Sequence, residues 1–231
     1  LRLCRNAFNS VGAVWFNVPQ RVSLGFETQF SFRITDPVRN CSVSAQNAGR
    51  CINRGGDGLA FVVHDNGTPF ALGGNGSNLG YGGIDNSIAF ELDTWYNANL
   101  GDVYLNHLAV HTMGTEQNEP SLRSRIAHTS ALPNLADGNV HTMRIRYEVW
   151  IRPEVVQDPS YFASPRAIQV LKRRPGNMQI WMDDLDRPIL SFPFNIDEVL
   201  SLTSGHAWVG FTASTGSVSQ VHEILSWTFQ D

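Results

Sequence analysis

Five side chains that could hold a metal ion lie between residues 91 and 107. Glu91 and Asp93 are two apart, and in an extended strand such residues share a face, so their carboxylates are pressed together. Two carboxylates at close range are costly unless a cation neutralises them. The chain then offers an amide oxygen from Asn97, a third carboxylate from Asp102 and an imidazole from His107. This set predicts a metal site.

The ligand types predict two ions rather than one. Ca²⁺ prefers a shell of oxygen atoms, whereas an imidazole beside carboxylates suits a transition ion such as Mn²⁺. For Glu91, Asp93 or His107 taken alone, the plainer interpretation is a solvent-facing strand residue or a surface histidine. Their joint spacing favours the metal site.

Short extended strands must position these side chains. In residues 26–34 the even positions are apolar or threonine and the odd positions are polar, which is the alternation of a half-buried strand. Phe90 and Leu92 alternate in the same way with Glu91 and Asp93. Similar runs, each bounded by turn residues, occur at residues 59–63, 87–92, 107–112, 141–149, 178–182, 207–213 and 224–229. Repeated short strands predict an all-β sandwich or barrel.

Two segments break this rhythm. Residues 196–202 predict a short helical turn. Residues 152–175 contain four prolines and end in Lys172, Arg173 and Arg174, which is typical of an inserted surface loop. The basic triplet has two interpretations, a solvated loop end or a patch for an anionic ligand.

Composition narrows the class of protein. A β-sandwich can reach 231 residues as one domain, and 42% hydrophobic with 16% charged residues argues against disorder. The net charge of −4 and the lack of a dense basic stripe exclude nucleic acid and an anionic membrane surface as expected partners. A helix needs about 20 apolar residues to span a bilayer, and no apolar run in the sequence is close to that length.

The three cysteines indicate in which cellular compartment the protein is expected to lie. Cys41 and Cys51 flank a polar loop that a disulfide could close, which favours an oxidising, extracellular location. The alternative is three unpaired thiols in a cytosolic protein, because the spacings match no zinc or CxxC pattern. Cys4 has no obvious partner.

The stretch ELDTWYN, followed by Asp102 and His107, is similar to the metal-binding region of the legume lectins and their wider L-type relatives. Four other stretches also resemble that family, namely NAFNSVGAVWF, FETQFSFRI, GGDGLAFVV and HAWVGFTASTGSVSQVHEILSWTF. Only residues 35–54 and 152–175 lack a counterpart in the family pattern. The resemblance implies an antiparallel jelly-roll sandwich of the concanavalin A type over residues 1–231. It also implies a secreted, non-catalytic lectin that binds glycans or glycoproteins, with a homo-oligomer left open.

The resemblance implies six metal ligands, which are Glu91, Asp93, Trp95 through its carbonyl, Asn97, Asp102 and His107. Glu91 and His107 would bind the transition ion, and Asp93 with Asp102 would bridge both ions. Asn97 and the Trp95 carbonyl would complete the Ca²⁺ shell. The family serine ten residues beyond the histidine, which supports the transition-ion shell through water, is replaced by Gln117, so this chain departs from the family at the Mn²⁺ site and not at the Ca²⁺ site.

The same resemblance implies six sugar-contacting residues, which are Asp57, Ser77, Trp95, Asn97, Ser217 and Val218. Asp57 would follow a cis peptide bond after Gly56 and accept hydrogen bonds from two sugar hydroxyls. Asn97 would place its oxygen on Ca²⁺ and its NH₂ on the sugar. The Trp95 ring would face a pyranose, with core packing as the alternative. Asn75-Gly76-Ser77 fits the glycosylation pattern, but a glycan there would crowd the site, so Asn75 is expected to be unmodified.

Two other function classes compete with a lectin. A glycoside hydrolase on this architecture needs an E-x-D-x-x-E-like strand, and the third acid position here is Tyr96. An adhesive or structural ectodomain could keep the sandwich without sugar affinity, because sites decay independently of their scaffold.

Overall fold

The computed structural model describes residues 1–38, 55–162 and 176–231, and in these residues two antiparallel sheets face each other. The strands in chain order are β1 (Arg2–Cys4), β2 (Val11–Trp15), β3 (Gln20–Arg21), β4 (Phe26–Thr35), β5 (Gly58–His64), β6 (Ser87–Asp93), β7 (His107–Thr112), β8 (Arg125–Thr129), β9 (Val140–Glu148), β10 (Gly176–Met182), β11 (Leu190–Phe194), β12 (His206–Ser214) and β13 (Val221–Gln230). The described part of the chain also forms helices α1 (Pro153–Val156) and α2 (Ile196–Leu200), and 3₁₀ turns at Gly76–Asn78 and Ala98–Leu100. This architecture confirms the predicted β-sandwich.

The strand order brings distant parts of the chain together. One sheet has the order β1-β13-β4-β9-β10-β11, and the other has the order β2-β12-β5-β6-β7-β8, with β3 also pairing with β12. In the second sheet β12 lies beside β5, so the chain near residue 214 meets the chain near residue 58. β5 in turn pairs with β6, which carries the predicted acidic ligands.

Side chains from the facing sides of the two sheets fill one apolar core. Phe26, Phe30 and Phe32 of β4 point inward and are at most 4% exposed, as the alternating pattern predicts. The Phe30 ring stacks at 6.1 Å on Phe61 of β5 in the opposite sheet. Because burying one such side chain stabilises the fold by roughly 1.5–3 kcal/mol, this core fixes the strands that carry the site.

A second, smaller cluster covers the outer face of the seven-stranded sheet. It consists of Ala60, Val62, Ala71, Leu79, Tyr81, Ile84 and Ala89, with Trp15 packed against it. The covering loop is glycine-rich, and a Cβ on Gly73 would meet the carbonyl oxygen of Gly82 at 2.4 Å. Ser214 at the end of β12 donates a hydrogen bond to the carbonyl of Gly76. The loop is thereby held beside the ends of β5 and β12.

The eight strands predicted from alternation are confirmed, as is the helical turn, which is α2. Alternation alone did not indicate β1, β3, β8 and β11, and β2 was expected only from the family resemblance. Residues 152–175 begin with α1, while Lys172, Arg173 and Arg174 fall outside the described residues.

The described residues answer the other sequence expectations only in part. Cys4 is a buried free thiol in the part of the chain that the structure describes. The proposed Cys41–Cys51 disulfide lies outside that part. No helix among residues 1–38, 55–162 and 176–231 is long and apolar enough to cross a membrane.

Candidate metal and sugar-binding site

Three predicted metal ligands meet at the paired ends of β6 and β7. The register places Asp93 opposite His107 and Glu91 opposite Ala109, so the acids and the imidazole share one face of the sheet. One ligand atom from each of Glu91, Asp93 and His107 lies within 4.8 Å of the others. All three side chains are at most 2% exposed. The acids therefore lie on the face opposite Phe90, which is in the core.

The main chain fixes the orientation of the His107 ring. Its Nδ1 lies 2.7 Å from the Tyr104 carbonyl oxygen, which can only accept, so Nδ1 carries a proton. Its Nε2 is then left to face Glu91 Oε1 at 3.6 Å and Asp102 Oδ1 at 4.0 Å. A neutral His107 would direct a lone pair toward the acids, which is the arrangement of a metal-binding histidine.

Charge strongly perturbs this cluster. Burial, followed by the charges of Glu91 and Asp102, raises the pKa of Asp93 well above its usual value. Burial also raises the pKa of Asp102 to about 6. Burial alone would raise the pKa of Glu91, but His111 and His107 outweigh it and lower that pKa. Burial alone would lower the pKa of His107, but Glu91 and Asp102 outweigh it and raise that pKa. Protons or a cation must neutralise such a site, and a divalent cation would displace the protons.

The loop after β6 adds oxygen atoms that fit a calcium ion. The Trp95 main-chain N–H donates to Asp93 Oδ1 at 2.5 Å, and the Asn97 N–H donates to Asp102 Oδ2 at 2.5 Å. These hydrogen bonds hold the main chain of the loop close to the two carboxylates. The side-chain Oδ1 of Asn97 is buried without a hydrogen-bond partner among the described residues. A buried oxygen without a partner is costly, and coordination to a hard cation would satisfy it.

Two residues that contact Glu91, and a serine that contacts one of them, were not predicted. Tyr81 donates its hydroxyl to Glu91 Oε2, and His111 Nε2 lies 3.7 Å from Glu91 Oε1. His111 Nδ1 is 2.8 Å from the hydroxyl of Ser124. The available signal for His111 was its position four residues after His107, which puts both on one face of a strand. Tyr81 and Ser124 come from other segments and carried no local signal.

Gln117 takes no part in this cluster. It forms an isolated antiparallel bridge with Asp85. The serine that the structure brings to the Glu91 region is Ser124, which follows a longer turn and contacts His111. Counting ten residues from His107 therefore did not locate the serine that contacts His111.

Asp57 lies immediately before β5, directly after a cis Gly56–Asp57 peptide bond. Its N–H donates to the Ser214 carbonyl at 2.9 Å. The side chain is 5% exposed, and Oδ2 has no hydrogen-bond partner within the described ranges. Burial raises the pKa of this carboxyl to about 7. An ionised Asp57 therefore needs donors from outside the chain, such as hydroxyl groups.

Loops from three parts of the chain surround Asp57. Ser77 lies in the 3₁₀ turn Gly76–Asn78, and a Cβ on Gly216 would be 3.1 Å from the Cα of Gly76 and 2.9 Å from Asp57 Oδ2. Glycine at position 216 thus leaves space beside the carboxylate. Ser217 is exposed at the tip of the neighbouring loop.

Trp95 and Val218 flank the main chain before Asp57. A Cβ on Gly56 would lie 2.8 Å from Val218 Cγ2 and 3.5 Å from the Trp95 Cβ. Val218 is only 4% exposed, so its side chain supports this segment more than it faces solvent. Trp95 is partly exposed, which leaves some of its ring surface open.

Comparison with known proteins gives the wider relationships of the chain. The L-type lectin-domain containing receptor kinase V.9 of Arabidopsis thaliana is 27% identical over 245 residues, which cover 100% of this chain but only 32% of the kinase. The chain thus spans about a third of that relative's length.

Solved structures share the fold. The exoplasmic/lumenal domain of VIP36, in its Ca²⁺/Man3GlcNAc-bound form, superposes with a TM-score of 0.63 at 15% identity, covering 99% of this chain and 77% of that one. Winged bean acidic lectin complexed with methyl-α-D-galactose gives a TM-score of 0.62 at 24% identity, covering 99% and 84%. The family model of the legume lectin domain matches residues 1–231. The chain therefore belongs to the legume lectin domain family.

Proposed function

We propose that residues 1–231 form one carbohydrate-binding lectin domain whose sugar site depends on bound metal ions and which has no catalytic activity of its own. The observation that carries this proposal is a pair of buried oxygens without partners among the described residues, Asp57 Oδ2 and Asn97 Oδ1. The first would accept hydroxyl hydrogen bonds and the second would bind a cation. Both belong to loops joined through Thr94, which donates to the Asp57 carbonyl.

The metal ligands would be those expected from the sequence. Asp93, Asp102, Asn97 and the Trp95 carbonyl would hold Ca²⁺, while Glu91 and His107 would join the bridging acids around a transition ion, with Mn²⁺ the first candidate. The ions would supply positive charge that neutralises the buried acids. The chain would then hold the Asn97 amide with its oxygen turned inward and its NH₂ turned outward.

Only a few groups of the protein would contact the sugar. Asp57 would accept two hydroxyl hydrogen bonds, Asn97 would donate one, and the partly exposed Trp95 ring would face the apolar side of a pyranose. Ser77, Ser217 and Val218 would offer main-chain or hydroxyl groups from the surrounding loops. VIP36 with mannose-containing ligands and winged bean acidic lectin with a galactoside support a glycan as the ligand class.

The relatives also support a location and a partner class. The VIP36 domain is exoplasmic or lumenal, so we infer an extracellular or lumenal site of action on glycoproteins. Catalysis by a pair of strand acids is not proposed, because the third acid position of a hydrolase strand is Tyr96 and the acids of β6 are the proposed ligands of a cation.

A glycan array probed with and without Ca²⁺ tests the function. The protein is stripped with a chelator and assayed alone, with Ca²⁺, and with Ca²⁺ plus Mn²⁺. We expect binding only in the metal-containing arms, together with Ca²⁺ in elemental analysis of protein purified without chelator. Equal binding in the stripped arm would contradict the metal dependence. A Ca²⁺-loaded protein that binds no glycan would favour the adhesive alternative.

Binding is expected to be weak at each site. Each hydrogen bond exchanged with water contributes a net of about 0.5–1.5 kcal/mol, and association itself is costly, so the few contacts imply millimolar to high-micromolar affinity for a monosaccharide. Presenting several sites together would raise avidity by roughly 10²–10⁴. Calorimetry with a monosaccharide from the array checks this, and a nanomolar dissociation constant would contradict the expectation.

A further inference from the structure

A buried glutamine lies directly behind the Asp57 loop. Gln220 is 0% exposed and precedes β13, immediately after the loop that carries Ser217 and Val218. A Cβ on Gly55 would meet Gln220 Cβ at 2.5 Å and the Ser219 carbonyl at 2.6 Å. The segment before Asp57 is therefore in close contact with this glutamine, and glycine at position 55 permits that contact.

The Gln220 amide makes two hydrogen bonds to side chains. Its Nε2 donates to Thr94 Oγ1 at 2.7 Å and lies 2.9 Å from His222 Nε2, where it must also be the donor because an amide nitrogen cannot accept. His222 is 0% exposed, and burial lowers its pKa to about 3, so the ring stays neutral and can accept this bond. Both bonds are shielded from water, where a lost partner is expensive.

Thr94 connects Gln220 to the main chain of Asp57. Both its main-chain N–H and its hydroxyl donate to the Asp57 carbonyl, each at 2.9 Å. A hydroxyl has one proton, so the bond accepted from Gln220 leaves that proton directed at Asp57. Thr94 also lies between Asp93 and Trp95 in the proposed metal-binding segment. One buried amide thus connects the metal loop, the Asp57 loop and the loop of residues 215–219.

We propose that Gln220 is a positioning residue for sugar binding, which through Thr94 holds the main chain of Asp57 against the metal-binding loop. This inference rests on the proposed function, since it assigns Asp57 to a sugar. Asp57 Oδ2 has no protein partner within the described residues, so its position depends on how its main chain is held. Without the relay, the carboxylate would lose its register with Asn97, while the metal ligands themselves would keep theirs.

The test uses side-chain pairs of similar shape. Thr94→Val and Gln220→Met remove the hydrogen bonds at nearly constant volume, and Thr94→Ser keeps the hydroxyl. Thr28→Val is the matched control, because Thr28 is also fully buried and donates a hydrogen bond from its hydroxyl to a main-chain carbonyl, that of Thr228 on the neighbouring strand β13 of the six-stranded sheet. Each variant is titrated with Ca²⁺ alone, then assayed on surfaces of asialofetuin, with terminal galactose, and of yeast mannan, with terminal mannose.

We expect Thr94→Val and Gln220→Met to bind the recognised surface at least about tenfold more weakly, with Ca²⁺ affinity changed by less than about threefold. Thr94→Ser and Thr28→Val should stay within about threefold of the unaltered protein. The double variant Thr94→Val with Gln220→Met should lose little more than Thr94→Val, because both changes break one relay. Unchanged binding in Gln220→Met, or an equal loss in Thr28→Val, overturns the proposal.

A sugar-free measurement separates this proposal from the proposed function. The Thr94 amide donates to Asp57, so its hydrogen exchange in the Ca²⁺-loaded protein reports the clamp directly. We expect exchange at least about tenfold faster in Gln220→Met and unchanged in Thr94→Ser. If the unaltered protein binds neither these two surfaces nor any glycan of the array, the sugar assignment fails on that result alone, and the exchange rates still decide whether Gln220 holds the Asp57 loop.

Discussion

At the scale of single residues, Asp57 is the side chain whose proposed role is most fully that of binding the sugar. It is buried, its Oδ2 has no partner in the described chain, and its main chain is held at both ends by Ser214 and Thr94. A fold gains nothing from such a carboxylate unless something outside the chain bonds to it. This is why a substitution at Asp57 separates binding from stability.

Asp57→Asn should keep the fold and weaken sugar binding by more than about tenfold, or ~1.4 kcal/mol, because an acceptor for paired hydroxyls becomes half donor. Thermal unfolding and binding to the array-identified glycan are measured side by side. Asp186→Asn, at an exposed position in the turn between β10 and β11, serves as the charge-matched control. Undiminished sugar binding would show that Asp57 does not contact the ligand.

The sequence predicted only the part of the candidate site whose residues are related by spacing along one segment. Glu91 and Asp93 were found because two residues on one strand share a face, and this holds in the structure. Tyr81, Thr94 and Gln220 were not found. Their roles depend on which strand pairs with which and in what register, and a single sequence does not contain that information in its local pattern.

At the scale of elements, the strands that alternation missed share a physical reason. β1, β8 and β11 are sheet edges in the described topology, and β3 has two residues. Edge strands are short and less regular in pattern because only one side is paired. β11 also contains Pro193, which a central strand would not tolerate. The predicted strands have longer alternating or apolar runs.

One histidine ties the start of β9 to two turns. His141 is 4% exposed, with Nδ1 at 2.8 Å from Asp183 Oδ2 and Nε2 at 3.2 Å from Asp137 Oδ1. Burial alone would lower its pKa, but the two aspartates outweigh burial and raise it. The stabilisation is therefore full below the unfolded pKa of about 6.5 and is lost as pH rises through the folded value.

His141→Gln should accordingly lower the melting temperature more at about pH 5.5 than at about pH 8.5. The control is His206→Gln, whose ring bonds only to a nearby main-chain carbonyl among the described residues. Differential scanning calorimetry at both pH values, with Ca²⁺ present throughout, gives the comparison. A deficit that is independent of pH would mean that His141 acts by packing alone.

At the scale of the whole molecule, the sandwich holds together a cluster of buried acids whose charges the cationic groups among the described residues do not fully offset. Asp57, Asp93 and Asp102 all have raised pKa values, mainly through burial. The acids lie where β5, β6 and the following loop converge, so the stiff core on one side prevents them from separating. The cost of holding the acids together appears as raised pKa values. Protonation of the acids is therefore linked both to the free energy of unfolding and to metal binding.

The sign of that linkage gives a whole-molecule prediction. Each acid has a folded pKa above its ordinary value of 3.8, so in metal-free protein its stabilising contribution is present below that value and is lost as pH rises through about 6 for Asp102 and about 7 for Asp57. Ca²⁺ requires the ionised acids, so its own stabilisation grows over the same range. The rise in melting temperature on adding Ca²⁺ should therefore be larger at about pH 7.5 than at about pH 5. Asp93→Asn should abolish most of that difference, whereas Glu116→Gln, at an exposed position, should leave it intact. If Ca²⁺ raises the melting temperature equally at both pH values, then the buried acids do not release protons to the ion, and the assignment of Asp93 and Asp102 as its ligands fails.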